Sequence, residues 1–244
     1  MTALNASRAM RAARVPPATR VYAIGDVHGR ADLLQDLVER IDEDLFRRPI
    51  ERAVEVYLGD YIDRGSQSKT VIDILCRRLV QRNAICLRGN HEAILEEFLR
   101  DPDVLHDWLR LGASGTLASY GVAIPSNTPL VPLELHRRFC KLFPRTHVLF
   151  LQCLRNHYIC GDYLFVHAGI RPGVPLQYQV EDDLTWIRNE FLQSTIDHGW
   201  MVVHGHTPVP HPQILSNRIN IDTGAVFSGT LTCLVLEAAS ISFL

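Results

Sequence analysis

The chain reads as an α/β domain, α+β in places, in which two mixed sheets pack together with helices outside. In the first hundred residues, apolar runs of strand length alternate with amphipathic helical patterns, as parallel β-α-β units do. After that, strand-length runs follow one another with few helices between them, so the second half is mainly β. The 244 residues are 47% apolar, which suits one large core better than several small ones.

Val21–Ile24 is apolar throughout and reads as a strand buried on both faces. It enters the loop Gly25–Gly29 and then a helix from Arg30 to Ile41, with Leu33, Leu34, Leu37, Val38 and Ile41 on one face. Ala53–Leu58 repeats the strand. Thr70–Gln81 repeats the helix, with Val71, Leu75 and Leu79 in register, and Ala84–Leu87 is a third strand. Another helix, with Ile94, Leu95, Phe98 and Leu99, follows the loop Gly89–Glu92. Two consecutive units of this kind imply parallel strands whose carboxyl ends gather their loops on one side.

Between Asp101 and Phe143 the texture changes, as Pro102, Gly112, Gly115, Gly121, Pro125, Pro129 and Pro132 interrupt short helical pieces. The stretch is far longer than an ordinary connection and reads as a helical insertion, 101–143, that shapes a cleft. Strands are then expected at Thr146–Gln152, at Tyr158–Cys160 and Tyr163–Val166 around the Gly161-Asp162 turn, and at Met201–Val203, Arg218–Ile221 and Thr230–Leu236.

Residues 1–20 contain Arg8, Arg11, Arg14 and Arg20, no acidic residue and a Pro16-Pro17 break; they read as a flexible basic tail before a single domain, 21–244. Lys plus Arg (25) nearly balances Asp plus Glu (27), so overall charge gives no reason to expect nucleic acid or membrane as the main partner. No apolar stretch approaches the ~18 residues of a membrane span. The six cysteines never form Cys-x-x-Cys and read as structural thiols of a cytoplasmic protein.

Five short motifs carry the chemistry: Gly25-Asp26-Val27-His28-Gly29, Gly59-Asp60-Tyr61-Ile62-Asp63-Arg64-Gly65, Gly89-Asn90-His91-Glu92, His167-Ala168-Gly169 and His204-Gly205-His206-Thr207. The first four each follow an expected strand, so all should project from one sheet edge. Singly, each has an ordinary explanation as a turn, a helix cap or a core histidine; in this order they do not. Hydrolysis of a phosphate ester commonly uses two metals about 3.5–4 Å apart that clamp phosphate oxygens and activate a water. Asp26 and His28, spaced i, i+2, can face one ion; Asp60 can bridge; Asn90, His167 and His206 can complete the second. A set of oxygen and imidazole ligands without thiolate favours Mn²⁺, Fe or Zn²⁺ over soft metals. His91 is assigned as general acid, with Asp63 orienting its imidazole. Arg64 and Arg188 are the phosphate-binding forks. His204 and His206 compete for one ligand position, and His206, in the loop beyond the strand, is favoured.

With these residues the chain resembles the phosphoprotein phosphatase family of calcineurin-like metallophosphoesterases. Trp186-Ile187-Arg188 and His204-Gly205-His206-Thr207-Pro208 look most like those of compact bacterial and phage serine/threonine protein phosphatases. The resemblance spans residues 21 to 236. It implies a central β-sandwich flanked by helices (four layers, αββα), a dinuclear centre often active with Mn²⁺, and direct attack by a metal-bridging hydroxide without a phosphoenzyme. It carries over Asp26, His28, Asp60, Asn90, His167 and His206 as ligands, His91 with Asp63 as the acid pair, and Arg64 and Arg188 as clamps. Ser66-Gln67 stands where relatives usually have proline, and Thr185 where leucine is common, which puts the placement of Arg188 in question.

The expected activity is therefore phosphomonoester hydrolysis on phosphorylated protein or peptide, serine/threonine or dual-specificity. The alternative is symmetrical hydrolysis of diadenosine tetraphosphate on a similar scaffold. Glu92 favours the protein phosphatase, since the dinucleotide enzymes compared usually carry Asp there. A third class, a catalytically silent metal-binding scaffold, is disfavoured because every expected catalytic residue is present.

Overall fold

The computed structural model describes residues 13–124 and 130–244. Its strands are β1 (Thr19–Ile24), β2 (Arg52–Tyr57), β3 (Ala84–Cys86), β4 (His157–Cys160), β5 (Tyr163–Val166), β6 (Met201–His204), β7 (Gln213–Ile214), β8 (Arg218–Asn220), β9 (Cys233–Glu237) and β10 (Ser240–Phe243). The helices used below are α1 (Ala31–Arg47), α2 (Ser68–Gln81), α3 (Asn90–Arg100), α4 (Leu105–Leu111), α5 (Ala113–Ser119), α6 (Pro132–Leu142), α7 (Arg145–Gln152), α8 (Glu181–Trp186) and α9 (Asn189–Leu192).

Two five-stranded mixed sheets form, in the orders β10-β9-β1-β2-β3 and β4-β5-β6-β8-β7. In the first, β1, β2 and β3 are parallel, with Val21 opposite Val54 and Val56 opposite Ile85. In the second, β5, β6 and β8 are parallel. Alternation along each strand assigns the faces. Val21, Ala23, Val54 and Val56 point into the sandwich against Tyr163, Phe165, Val203 and Ile219. Tyr22, Ile24 and Tyr57 point outward, into a helical layer that includes Leu34, Leu75, Phe98 and Trp108. Leu164, Val166 and Val202 meet Leu184 and Phe191 on the far side. The result is the expected sandwich of two mixed sheets flanked by helices.

Two local expectations are corrected. Thr146–Gln152 is not a strand: it lies in α7, which buries His147, Phe150 and Leu151, a spacing of three and four that only a helix places on one face. The tail was drawn too long. Residues 1–12 lie outside the described residues, but residues 13–20 are packed. Val15 is buried between the sheets and its N–H donates to Ala238 O (3.0 Å), Arg14 N–H donates to Asp162 Oδ2 (3.0 Å), and β1 already starts at Thr19. The insertion, of which 125–129 lie outside the described residues, forms α4–α6 and places Trp108, Leu117 and Phe139 in the outer helical core. β7 and β10 had no counterpart in the sequence reading; β10 is exposed at all four positions and gave no buried pattern to detect. All six cysteines are free thiols. Among the described residues no helix is long and apolar enough to cross a membrane.

A buried charge network ties the first two helices to β2. Arg78 donates from Nε to Glu55 Oε2 (3.0 Å) and pairs through Nη2 with Glu55 Oε1, while Nη1 and Nη2 reach Asp42 at 2.7 and 3.0 Å. Glu55 also accepts from Tyr57 Oη (2.7 Å) and is 2% exposed. Arg78→Met, which leaves Glu55 buried without its cation, is expected to destabilise the fold by about 3–5 kcal/mol in urea denaturation; a loss below 1 kcal/mol would show that Glu55 is not held by this pair.

His147 sits buried between Tyr120 Oη (2.7 Å) and Asp73 Oδ1 (2.9 Å), joining the end of α5 to α2. Burial outweighs Asp73 and lowers its pKa below 6.5. The unfolded chain therefore binds more protons as pH falls through 6.5, and that part of the stability, present above 6.5, is lost on acidification. His147→Gln is expected to lose less stability than wild type between pH 7 and pH 5; an equal loss by parallel urea titrations would contradict the assignment.

Candidate metal centre

The loops after β1, β2, β3, β5 and β6 converge at one end of the sandwich, because parallel strands end on the same side. Asp60, 2% exposed, stands at their centre. Its Oδ2 lies 3.5 Å from His28 Nε2 and 3.8 Å from His91 Nε2, and its Oδ1 lies 3.3 Å from His167 Nε2. The donor atoms form two triads sharing that carboxylate, His28–Asp60–His91 and Asp60–His167–His206, each within 4.8 Å throughout. Asn90 Oδ1 and His206 Nδ1 both lie 3.2 Å from His167 Nε2.

The backbone fixes which ring nitrogens face inward. His28 Nδ1 donates to Ile62 O and His167 Nδ1 to Leu58 O, each at 2.9 Å, so both Nε2 atoms present lone pairs toward Asp60. Lone pairs thus confront lone pairs across a few ångströms. Asp26 adds to this: Oδ2 accepts from His206 N–H (3.0 Å), while the buried Oδ1, like the buried His206 Nε2, has no hydrogen-bond partner among the described residues. A side chain at Gly205 would collide with Asp26 Oδ1, so only glycine lets that carboxylate in. Acceptors packed on acceptors, two of them orphaned, are what a pair of cations fits.

The charge balance agrees. Burial pushes His28 down to about 3 and lowers His167 and His206, which favours the unprotonated ring that a metal ligand needs. Burial, then the charges of Asp222 and Asp60, raise Asp26 well above the usual carboxylate range. Burial alone would raise Asp60 too, but His167, His91, His28 and His206 outweigh it and hold it below 3.8. His91 behaves oppositely to the other three: burial opposes its proton, yet Asp60 and Asp63 prevail and raise it above 6.5.

The structure gathers nearly all the residues expected from sequence, with differences of detail. His28 groups with Asp60 and His91, while Asp26 Oδ2 meets the backbone N–H of His206. His206 belongs to a triad and His204 does not; His204 bonds Gly205 O (3.1 Å) and packs on Phe191. His91 Nδ1 donates to Asp63 Oδ2 at 2.7 Å, as expected for the pair. Arg64 Nη2 is 3.4 Å from His91 Nε2. Arg188 makes no hydrogen bond through its guanidinium among the described residues, but its charge reaches His167, His206 and Asp222.

Other residues of the site had no assigned role. Glu92 accepts from Asp60 N–H (2.9 Å), Tyr61 N–H (2.8 Å) and Gly89 N–H (3.0 Å), fully buried beneath the metal cradle. Burial and the Asp60 charge push it up to about 8 against those three donors. It faces away from any substrate, so its identity cannot discriminate a phosphoprotein from a dinucleotide by contact. Trp108 Nε1 and Thr116 Oγ1 donate to Asp63 at 2.8 and 2.6 Å. Asp222 accepts from Gly224 N–H (2.9 Å) and adds a buried charge beside Asp26. Among the described residues, five of the seven non-glycine positions with positive φ are His28, Asp60, Asp63, Arg64 and His206. Their concentration here is the pattern of strain stored at functional sites.

Imidazole and carboxylate donors gathered around one shared carboxylate at the carboxyl ends of parallel strands, with His91 held by Asp63 beside them, fit a metal-dependent hydrolase of the dinuclear class. A model of the calcineurin-like phosphoesterase family matches residues 19–229, and the chain belongs to that family. The asymmetrical bis(5′-nucleosyl)-tetraphosphatase PrpE of Geobacillus thermodenitrificans is 29% identical over 232 residues, covering 86% of this chain and 88% of the relative. The protein of the same name from Bacillus cereus is 31% identical over 223 residues, with 86% and 87% covered. A solved structure of a candidate diadenosine tetraphosphatase matches with a TM-score of 0.63 at 22% identity, over 95% of this chain and 97% of the other. The cold-active protein-tyrosine phosphatase of a psychrophilic Shewanella species matches with the same TM-score, 0.63, at 18% identity, over 95% and 83%. The structural matches show the shared fold. The curated relatives bear a dinucleotide hydrolase name, not the protein phosphatase name that the motifs suggested.

Asp60→Asn, which removes the charge common to both triads, is expected to bring metal content after dialysis against Mn²⁺ from about two ions per chain to below one. His204→Asn is expected to retain both ions and His206→Asn to lose at least one; elemental analysis of folded protein checks all three, and the reverse order for the histidines would overturn the grouping.

Proposed function

We propose that the chain hydrolyses bis(5′-nucleosyl) tetraphosphates asymmetrically, to a nucleoside triphosphate and a nucleoside monophosphate. The observation that carries this reading is relatedness at 29–31% identity over 86% of the chain to proteins of that name. It replaces the protein phosphatase as first choice, and the asymmetrical cut replaces the symmetrical one. Six unpaired cysteines suit a cytoplasmic setting.

Asp26, His28, Asp60, Asn90, His167 and His206 would hold two divalent ions; a nitrogen and oxygen donor set without thiolate suits Mn²⁺, Fe or Zn²⁺, and the family resemblance favours Mn²⁺ among them. When bound, the ions supply Lewis-acid stabilisation of phosphoryl charge and acidify a water. The chain's own residues do the rest. Arg64 and Arg188 orient the scissile phosphate from the rim, and their fixed charges favour the anion over neutral competitors. His91, held by Asp63 and kept protonated to higher pH than a free imidazole, gives its Nε2 proton to the departing oxygen. Trp186, 40% exposed with its ring centroid 6.0 Å from that of His206, offers an open indole beside the phosphate site on which a nucleobase can stack.

A second reading, serine/threonine protein phosphatase, is favoured by Trp186-Ile187-Arg188 and His204–Pro208, which look like those of the compact protein phosphatases. Products separate the readings. Protein loaded with Mn²⁺ is expected to convert diadenosine tetraphosphate to equal amounts of ATP and AMP by chromatography. Two ADP would mean the symmetrical cut, and turnover of a phosphoserine peptide without the dinucleotide would move the assignment to protein phosphatase. Trp186→Ala should raise KM for the dinucleotide about tenfold, the worth of one stacked base, with p-nitrophenyl phosphate little changed.

A further inference from the structure

We infer that Thr116 and Trp108, contributed by the inserted helices α4 and α5, are positioning residues for the general acid, so that the insertion is part of the catalytic apparatus and not only a wall of the cleft. The inference rests on the His91 acid role in the proposed function.

The geometry is specific. Thr116 Oγ1 grips Asp63 at two points: it accepts from Asp63 N–H (2.9 Å) and donates to Asp63 Oδ1 (2.6 Å). Trp108 Nε1 donates to Oδ2 (2.8 Å), the oxygen that also receives His91 Nδ1 (2.7 Å). Three donors from three helices thus fix the plane of one carboxylate, and the carboxylate fixes the imidazole. Thr116 and Trp108 are fully buried and lie far from Asp63 in sequence, so the arrangement exists only through tertiary packing.

The same helices hold the adjoining arginine. Gly112 O, at the α4–α5 junction, accepts from Arg64 N–H (3.0 Å), and Gly112 has φ 106°. A Cβ there would lie 2.9 Å from Arg64 Cγ, so the helical turn fits only because the position is glycine. Asp63 and Arg64 themselves adopt φ of 70° and 64°, conformations that persist only where the surroundings over-determine them. α4 and α5 provide that constraint.

In the step concerned, water forms the new P–O bond and releases a proton to solvent. The old bond's electron pair leaves on oxygen, and His91 Nε2 protonates that oxygen before regaining a proton from solvent. A poor leaving group depends on this proton and a good one far less. Leaving-group dependence therefore reads the acid without reading the fold.

The experiment compares phenyl phosphate with p-nitrophenyl phosphate for wild type, Thr116→Val, Trp108→Phe, Thr116→Ser and His91→Asn, all loaded with Mn²⁺ to equal metal content. Thr116→Val and Trp108→Phe are expected to lose about tenfold or more in kcat on phenyl phosphate and less than about twofold on p-nitrophenyl phosphate, with KM unchanged. Thr116→Ser, which keeps the hydroxyl, should restore the wild-type ratio. Equal losses on both substrates in Thr116→Val and Trp108→Phe, with His91→Asn still selective for the poor leaving group, would make the two residues merely structural and overturn the inference. An unselective His91→Asn would overturn the acid role, and the inference with it.

Discussion

Asp60 must occupy one position for two reasons that reinforce each other. It lies in the loop just after β2, which runs between β1 and β3, so the loops of both neighbours close on it. The N–H groups of Val27 and His28 donate to its carbonyl at 3.1 and 2.9 Å, and His91 N–H donates to its Oδ1 at 3.2 Å. The carboxylate then faces the second sheet, which supplies His167 and His206. Moving this residue would separate the two triads, because each uses a different oxygen of the same group for at least one histidine. The sandwich serves this geometry: only with the parallel strands of both sheets ending on one side can ligands from opposite sheets share a carboxylate.

That arrangement has an energetic consequence for the whole domain. Non-glycine residues held in sparsely populated backbone conformations cost about 1–3 kcal/mol each, and a domain's net stability is only about 5–15 kcal/mol. Five such residues in the site, with buried Asp26, Asp60, Glu92 and Asp222 close together, would consume much of that margin unless opposed. The opposition comes from the apolar layer between the sheets, from Glu92 accepting three backbone N–H groups under Asp60, and from cation binding, which stabilises the folded state by mass action. The site is thus built as a receptor for positive charge, and its strain is the cost of holding donors where they repel one another.

How much of this could be read from sequence follows from how each residue works. The residues gathered around Asp60 were legible because each combines a scarce side-chain type with a strand-end glycine motif, both local properties. β1, β2, β5 and β6 were legible because apolar runs buried on two faces announce themselves. α7 was misread because Val148-Leu149-Phe150-Leu151 is an apolar run without visible period, and only the burial of His147, Phe150 and Leu151 reveals the helical face. The packing of Val15 depends on the distant turns at Asp162 and Ala238, which no local pattern encodes. Thr116 and Trp108 look like ordinary helical residues until the fold brings them to Asp63. Glu92 was visible as a mark of resemblance but not as a support, since its neighbours His91 and Asn90 face the metal cradle while its own carboxylate turns under it.

The same distinction bears on substrate choice. The metal cradle, the Asp63–His91 pair and Arg64 all address a phosphoryl group, the part common to a phosphoserine, a nucleotide anhydride and a synthetic aryl phosphate. Their presence therefore fixes the reaction class and leaves the substrate open, which is why motif resemblance pointed to protein phosphatases while the named relatives act on dinucleotides. Discrimination has to come from groups that touch what surrounds the phosphate. Trp186 and Arg188 stand at that boundary, and they are carried by α8 and the turn after it. Arg171 ties that segment down, with bonds of 2.8 and 2.6 Å to Asp183 and 2.8 Å to Glu190 on either side of it. Under the proposed function, the Trp186 indole and the Arg188 guanidinium beside the phosphoryl site would meet the base and the polyphosphate chain, so substrate choice would be made by this segment and not by the metal cradle.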